Sequence, residues 1–293
     1  MTASRANDSN PTVLITGATD GLGRAMAIFL AANGYRVFAA GRSAEKRASL
    51  DRLADDRKLS IETLDMDVSD DTSVRRGVAR VLERAGEIGV LINNAGVAYV
   101  APVEELRIDD LHAQFEINFF GVVRLIHAVL PAMRERRRGR ILNISSIAGK
   151  IASPLFGSYS SSKFALEGLS DALRLELAPF GVHVVLIEPG YIPTNMEKSS
   201  LTLSSAYAAR AEKSPYAAVY RGFRHSWKQT TDAARTTPED CARVILRALL
   251  DSPPRPRYTV TRRARIGVLA KRFLSDRFLD KRILHAMGLD KPL

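Results

Sequence analysis

The sequence predicts an α/β fold, a doubly wound parallel sheet with helices on both faces, and three observations carry that prediction. Short apolar, β-branched runs alternate along the chain with longer stretches of helical period. Runs such as "VLIT" and "VVLI" are apolar at every position, as strands must be when helices cover both faces of the sheet. A glycine-rich turn, "TGATDGLG", stands between the first run and the first helical stretch, where a sheet of this type brings backbone close to a ligand.

The elements follow in order. "TVLIT" leads into a helical stretch over 22–33, "RVFAA" into 44–55, and "LSIETL" into 72–85; "GVLINN" makes a fourth strand. A long helical pattern over 109–136, the strand "GRILNISS", a helix over 159–177 and the strand "VHVVLIEPG" complete six strands joined by right-handed crossovers. Residues 194–237 break the rhythm: they follow "PGYIPT", carry Tyr207, Tyr216, Tyr220, Phe223 and Trp227, and contain no strand pattern, which predicts an inserted helical lid. The rhythm resumes at Pro238 with a helix to about 251, a "PPRPRYTV" connector with a last strand, and an amphipathic helix from near Ile266. One domain over 11–262 is expected, with a loose lead over 1–10 and a basic C-terminal extension over 263–293.

Composition narrows the function. With 46% hydrophobic residues in 293, the chain can fill a large core. Cys241 is alone, so no intrachain disulfide can form, and His112, His127, His183, His225 and His285 show no metal-ligand spacing; a metal-free protein of a reducing compartment is expected. The polar opening lacks a signal-peptide stretch and no segment holds 18 continuous apolar residues, which predicts a cytoplasmic protein without a membrane span. Residues 255–293 hold eleven Lys/Arg against three Asp, so +8 of the overall +11 belongs to the tail. "RERRRGR" over 134–140 reads as a solvated helix end, and without interleaved aromatics or a reader motif nucleic acid is not an expected partner.

Polar groups gather at the carboxyl ends of successive strands. Gly17, Gly21 and Gly23 let the backbone turn tightly and present amide donors to a pyrophosphate at a helix N-terminus. Asp67 and Val68 follow the third strand, "NNAG" (Asn94, Ala95 and Gly96 within it) ends the fourth, and Ser145 and Ser146 end the fifth. In "SYSSSKFALEG", Tyr159 and Lys163 are four residues apart; at about 100° per residue they share one helix face. A phenol ordinarily titrates near 10, so acid/base work near neutrality needs such a cation beside it.

The set TGxxxGxG, NNAG, a mid-helix Asn, Ser and YxxxK resembles the short-chain dehydrogenase/reductase family, over about 13–196. The resemblance implies a single-domain Rossmann-like fold and a hydride exchanged between nicotinamide and a carbonyl or secondary alcohol. It implies that Tyr159 is the acid/base, that Lys163 lowers its pKa and holds the nicotinamide ribose, that Ser146 polarises the carbonyl, and that Asn118 kinks its helix and holds a relay water. It further implies cofactor contacts along Gly17, Thr19, Asp20, Gly21, Leu22 and Gly23, then Arg42, Asp67, Val68, Asn94, Ala95 and Gly96, and finally Tyr159, Lys163, Pro189, Gly190, Ile192 and Thr194.

Gly41 stands where an acid would bind the ribose of NAD, and Arg42 follows, so NADP(H) is expected ahead of NAD(H); Asp20 opposes this unless its carboxylate points to solvent. The stretch from Tyr159 through "IEPG" resembles the branch holding 17β-hydroxysteroid and retinol dehydrogenases, implying a lipophilic substrate of steroid, retinoid or fatty type. The alternatives are a small-carbonyl or 3-oxoacyl reductase, and a dinucleotide-sensing regulator without catalysis, against which the intact Ser146, Tyr159 and Lys163 argue. A homodimer or homotetramer is implied by resemblance, pairing the helices near 110–135 and 159–178. The tail alternates Ile266, Leu269, Phe273 and Phe278 with Lys271, Arg272 and Arg277, a pattern for peripheral membrane contact or for packing on protein.

Overall fold

The computed structural model describes residues 10–290; all but the last residue of the lead expected over 1–10, and the end of the tail, lie outside them. Seven parallel strands, β1 (Val13–Thr16), β2 (Val37–Gly41), β3 (Ile61–Asp65), β4 (Val90–Asn93), β5 (Gly139–Ile144), β6 (Val182–Glu188) and β7 (Arg257–Thr259), run in the order β3-β2-β1-β4-β5-β6-β7. The order reverses between β1 and β4, paired Val13 to Val90 and Ile15 to Ile92, and this opens a crevice beyond their carboxyl ends.

Two apolar layers cover the sheet. On one face α1 (Gly21–Ala32), α2 (Ala44–Asp56) and α10 (Pro238–Leu250) bury Met26, Leu30, Leu50, Cys241 and Ile245 against β1, β2 and β6. On the other, α3 (Asp71–Ala85), α5 (Gly121–Glu135) and α6 (Gly157–Leu177) bury Val78, Val81, Leu125, Val129, Leu166 and Leu173. Both faces are dry, which is why the strands carry no alternation. Local signals set the helix ends: the Asp70 carboxylate accepts from Thr72 and Ser73 N at the start of α3, which stops at Gly86 with φ 75°. Thr237 and Asp240 form a reciprocal cap on α10.

Two elements differ from expectation. The helix expected over 109–136 is α4 (Ile108–Phe115) joined to α5 by a π-helical turn, Glu116–Phe120, centred on Asn118. Together they make a 28-residue helix long and apolar enough to cross a membrane by length and composition, although no 18-residue run is wholly apolar; Leu125, Ile126, Val129 and Met133 are seated in the core. The single C-terminal helix expected from Ile266 is two, α11 (Arg262–Phe273) and α12 (Asp276–Ala286), because Ser275 leaves the helix and caps the second through Phe278 N. Between β6 and α10 lie α7 (Asn195–Leu203), α8 (Ser205–Ala208) and α9 (Ala217–Asp232), helical as the insert's composition predicts.

Candidate functional site

The glycine turn after β1 is held from behind. Asn94 Nδ2 donates to Thr16 O (2.9 Å) and Gly17 O (3.2 Å), while the Thr16 hydroxyl accepts from Asn94 N and Ala95 N. Gly17 takes φ 62°, and a Cβ there would stand 2.9 Å from Ala95 Cα; a Cβ on Gly23 would overlap Gly17 O. Asn94 therefore turns its side chain into the loop and braces it, because buried turn carbonyls need donors. Thr19 is buried over Gly41, Leu22 packs on the core, and Thr194, capping α7, lies against Gly21, so the "PGYIPT" loop closes over the turn. Pro189 O accepts from Ile147 N (2.8 Å), Gly190 is pressed against Thr261, and Ile192 is buried.

The Asp20 carboxylate, about 30% exposed, caps α1 through Gly21 N (2.7 Å), accepts from Asn195 Nδ2 (2.7 Å) and pairs with Lys46. Burial works to raise its pKa, and Lys46, Asn195 and the helix amide together outweigh it, holding the carboxyl below its ordinary value. The acid is thus neutralised locally, and Arg42 and Lys46 stand together at the corner after β2. Arg42 is largely exposed, 3.5 Å from Asp67, whose carboxylate otherwise accepts from Ser69 N and Oγ. Val68 is buried against Gly121.

Four candidate residues come together above β5. Ser146 opens a 3-10 turn over Ile147–Gly149, its hydroxyl accepting from Ala148 N (3.1 Å). Tyr159, in the first turn of α6, is half-buried; desolvation drives its phenol up to about 12 against an opposing hydrogen bond with Ser146, the reverse of the lowering by Lys163 that the resemblance implies. Lys163 is buried with its Nζ 5.7 Å from the Tyr159 ring centroid and donating to Ile144 O (2.8 Å); desolvation brings it down to about 8 although Glu167 opposes this. A Cβ on Gly96 would approach both Asn118 Oδ1 (3.4 Å) and Lys163 Nζ (3.9 Å), so the missing side chain leaves space where these groups meet.

Asn118 is fully buried. Its Nδ2 donates to Val97 O (2.9 Å) and Ser162 Oγ (3.0 Å) and its Oδ1 accepts from Val97 N (2.9 Å), so both amide donors are used on protein. The π turn at this residue is the expected kink, and such turns alter the backbone carbonyl ladder rather than the side chain.

Sequence reading missed several parts. Phe156 stands beside Tyr159 (centroids 5.9 Å) and packs with Phe223 and Trp227 of α9; Tyr191 meets Trp227 edge-on at 5.0 Å. Glu197 accepts from Tyr191 OH (2.7 Å) and Trp227 Nε1 (2.9 Å), tying the loop after β6 to the lid. Beneath the site, Glu167 and Glu188 are buried from α6 and β6, sharing Lys150 of the Ser146 turn and Arg257 of β7. Burial and the Glu167 charge raise the pKa of Glu188. An acid one helical turn after a lysine hints at such pairing, but the aromatic wall joins residues up to 71 apart and leaves no local trace.

The cradle fits a nicotinamide dinucleotide: a turn in which Gly17 and Gly23 lack room for a Cβ and Gly21 takes φ 49° faces a helix N-terminus at the strand-order reversal. The family model for short chain dehydrogenase matches residues 11–203. Human 17-beta-hydroxysteroid dehydrogenase type 1 is 37% identical over 259 residues, spanning 86% of this chain and 77% of that one. A short-chain dehydrogenase from Streptomyces avermitilis superposes with TM-score 0.75 at 29% identity, covering 96% of this chain and 98% of its own. A gluconate 5-dehydrogenase from Burkholderia cenocepacia J2315, solved with NADP and tartrate, gives TM-score 0.65 at 26% identity over 80% of this chain and 86% of its own. The chain belongs to the short-chain dehydrogenase family and is an oxidoreductase that works with a nicotinamide cofactor.

Proposed function

We propose that this short-chain dehydrogenase reduces a lipophilic ketone or aldehyde, of steroid, retinoid or fatty type, with NADP(H), and oxidises the alcohol in reverse. The observation that carries this is the junction of Tyr159, Ser146 and Lys163 with an apolar aromatic wall, Phe156, Phe223, Trp227 and Tyr191. The cofactor, when bound, supplies or accepts the hydride at the carbonyl carbon. Ser146 donates to the substrate oxygen and Tyr159 delivers the proton to it, with Lys163 as the cation that makes a phenolate tolerable. Asn118 holds the loop carrying Gly96 and Val97 beside this space. The chain divides into a catalytic domain over 11–262 with its lid over 194–237, and a basic extension over 263–293. It works in the cytoplasm as a homodimer or homotetramer through the helices bearing exposed Phe120, Phe164 and Leu175, with its extension peripheral at a membrane surface.

Turnover on a panel of steroid, retinoid and long-chain ketones, set against small carbonyls and 3-oxoacyl thioesters, tests the substrate class; preference for the small compounds defeats it. Arg42→Glu tests the cofactor. A guanidinium–phosphate contact contributes about 1.5–3 kcal/mol, so KM for NADPH should rise roughly 10–100-fold while KM for NADH changes little. Equal shifts for both cofactors would remove Arg42 from the phosphate.

The pH profile carries a sign. Lys163 is displaced downward to about 8, so the free enzyme keeps its ammonium below that value and loses it above, while the phenol stays protonated to about 12. In the reductive direction kcat/KM for NADPH should be level near pH 6–7 and fall about tenfold per unit above about pH 8. Lys163→Arg should remove that limb, because a guanidinium does not titrate in this range. A limb that persists in Lys163→Arg belongs to another group.

A further inference from the structure

The C-terminal helices expose the large apolar side chains Ile266, Leu269, Phe273, Leu274, Phe278 and Leu284. Along α11 the inner side is Ala264, buried, and Gly267, seated against Ile147 and Ile151 of the loop between Ser146 and Tyr159. The outer side is Ile266, Leu269 and Phe273, at spacings of three and four residues and 58–73% exposed. At about 100° per residue these three form one stripe, with Arg265 and Arg272 along one flank and Arg263 on the other. Leu274 and Phe278, at the turn into α12, are exposed as well, as are Arg277, Lys281 and Arg282. Eight Lys/Arg stand against three Asp over 262–290.

We propose that this outer face of α11, with the corner into α12, is a docking surface for an anionic phospholipid bilayer. An apolar stripe lying between arginines is the arrangement an interfacial helix uses, side chains entering the acyl boundary while the cations meet lipid phosphates. Charge selects the occupant: the face is complementary to an acidic surface and repels a second copy of itself. Position gives the docking a use. α12 closes on the lid where Met287 packs over Gly222, the residue before Phe223 of the aromatic wall, and a cleft of about 320 Å³ lies between Asp280, Ile283 and Leu284 of α12 and Ala152, Ser153 and Pro154. Docking would set this cleft and the lid at the bilayer, where apolar substrates dissolve. The assignment stands on the surface and does not require the proposed substrate class.

Co-sedimentation of the full chain with vesicles tests it. Binding is expected to phosphatidylcholine vesicles carrying about 30% phosphatidylserine at roughly 50 mM NaCl, with little to phosphatidylcholine alone and release at about 500 mM NaCl. Leu269→Asp with Phe273→Asp, and separately Arg265→Glu with Arg272→Glu, should each lower the bound fraction at least about tenfold, with circular dichroism and turnover of a water-soluble ketone unchanged. No binding, equal binding to neutral vesicles, or full binding by both variants overturns the assignment. So does a drop in oligomer mass by light scattering in the aspartate variant, which would give the face to a second copy.

Discussion

Tyr159→Phe should lower the turnover of ketone reduction by about three orders of magnitude, since removing a positioned general acid typically costs 10²–10⁴-fold. The substitution deletes one oxygen and little else. The ring keeps its edge contact with Phe156, and Lys163 keeps its bond to Ile144 O, so the pocket retains its shape. NADPH binding, followed by fluorescence titration, should stay within about threefold, because the loss falls on an interaction made in the transition state. Turnover that survives the change would take the proton-transfer role away from Tyr159 and reopen the regulatory alternative. Loss of cofactor binding together with turnover would instead mean that the phenol supports the cradle.

The largest effect on stability is expected from Arg257→Met. Glu167 and Glu188 are about 4% and 1% exposed, and Arg257 reaches both, with its Nη2 also 2.6 Å from Asp171 Oδ2. Without the guanidinium, two buried carboxylates from neighbouring elements share Lys150 alone. Breaking a buried ion pair from one side costs roughly 3–5 kcal/mol because an uncompensated charge stays in the interior. For a chain of this size that lowers Tm by about 10 °C, measurable by calorimetry. The loss should shrink in the double variant Arg257→Met, Glu188→Gln, which removes the orphaned charge. A Tm within about 2 °C of wild type would mean that the carboxylates find water or protonate at little cost.

The fold was legible because its signals are local. Uninterrupted apolar runs, caps such as Asp70 and Thr237, and the glycine turn each act within a few residues, and each repeats the same answer. The tail shows the limit: helical period persists through Leu274 and Ser275, and only the capping geometry of Ser275 reveals a break. Tyr159 and Lys163 could be read as neighbours from helical spacing alone. The bracing by Asn94 could not be read, since nothing local in the sequence shows that Thr16 O and Gly17 O lie beneath its amide.

By itself the sequence determined which chemistry is at hand: a phenol and an amine on one helix face, hydroxyls at a strand end, glycines at a helix entrance, and a basic tail. These are properties of residue type and short spacing, which the periodicity of helix and strand converts directly into direction. Tertiary structure alone decided what surrounds them. It turned Asp20 onto a helix end beside Lys46, packed Phe156 against Trp227, and buried Glu167 against Lys150 and Arg257. Those partners come from segments far apart in the chain, and their encounter depends on how whole elements pack. Burial, which depends on the same packing, moves Tyr159 and Lys163 away from their ordinary values.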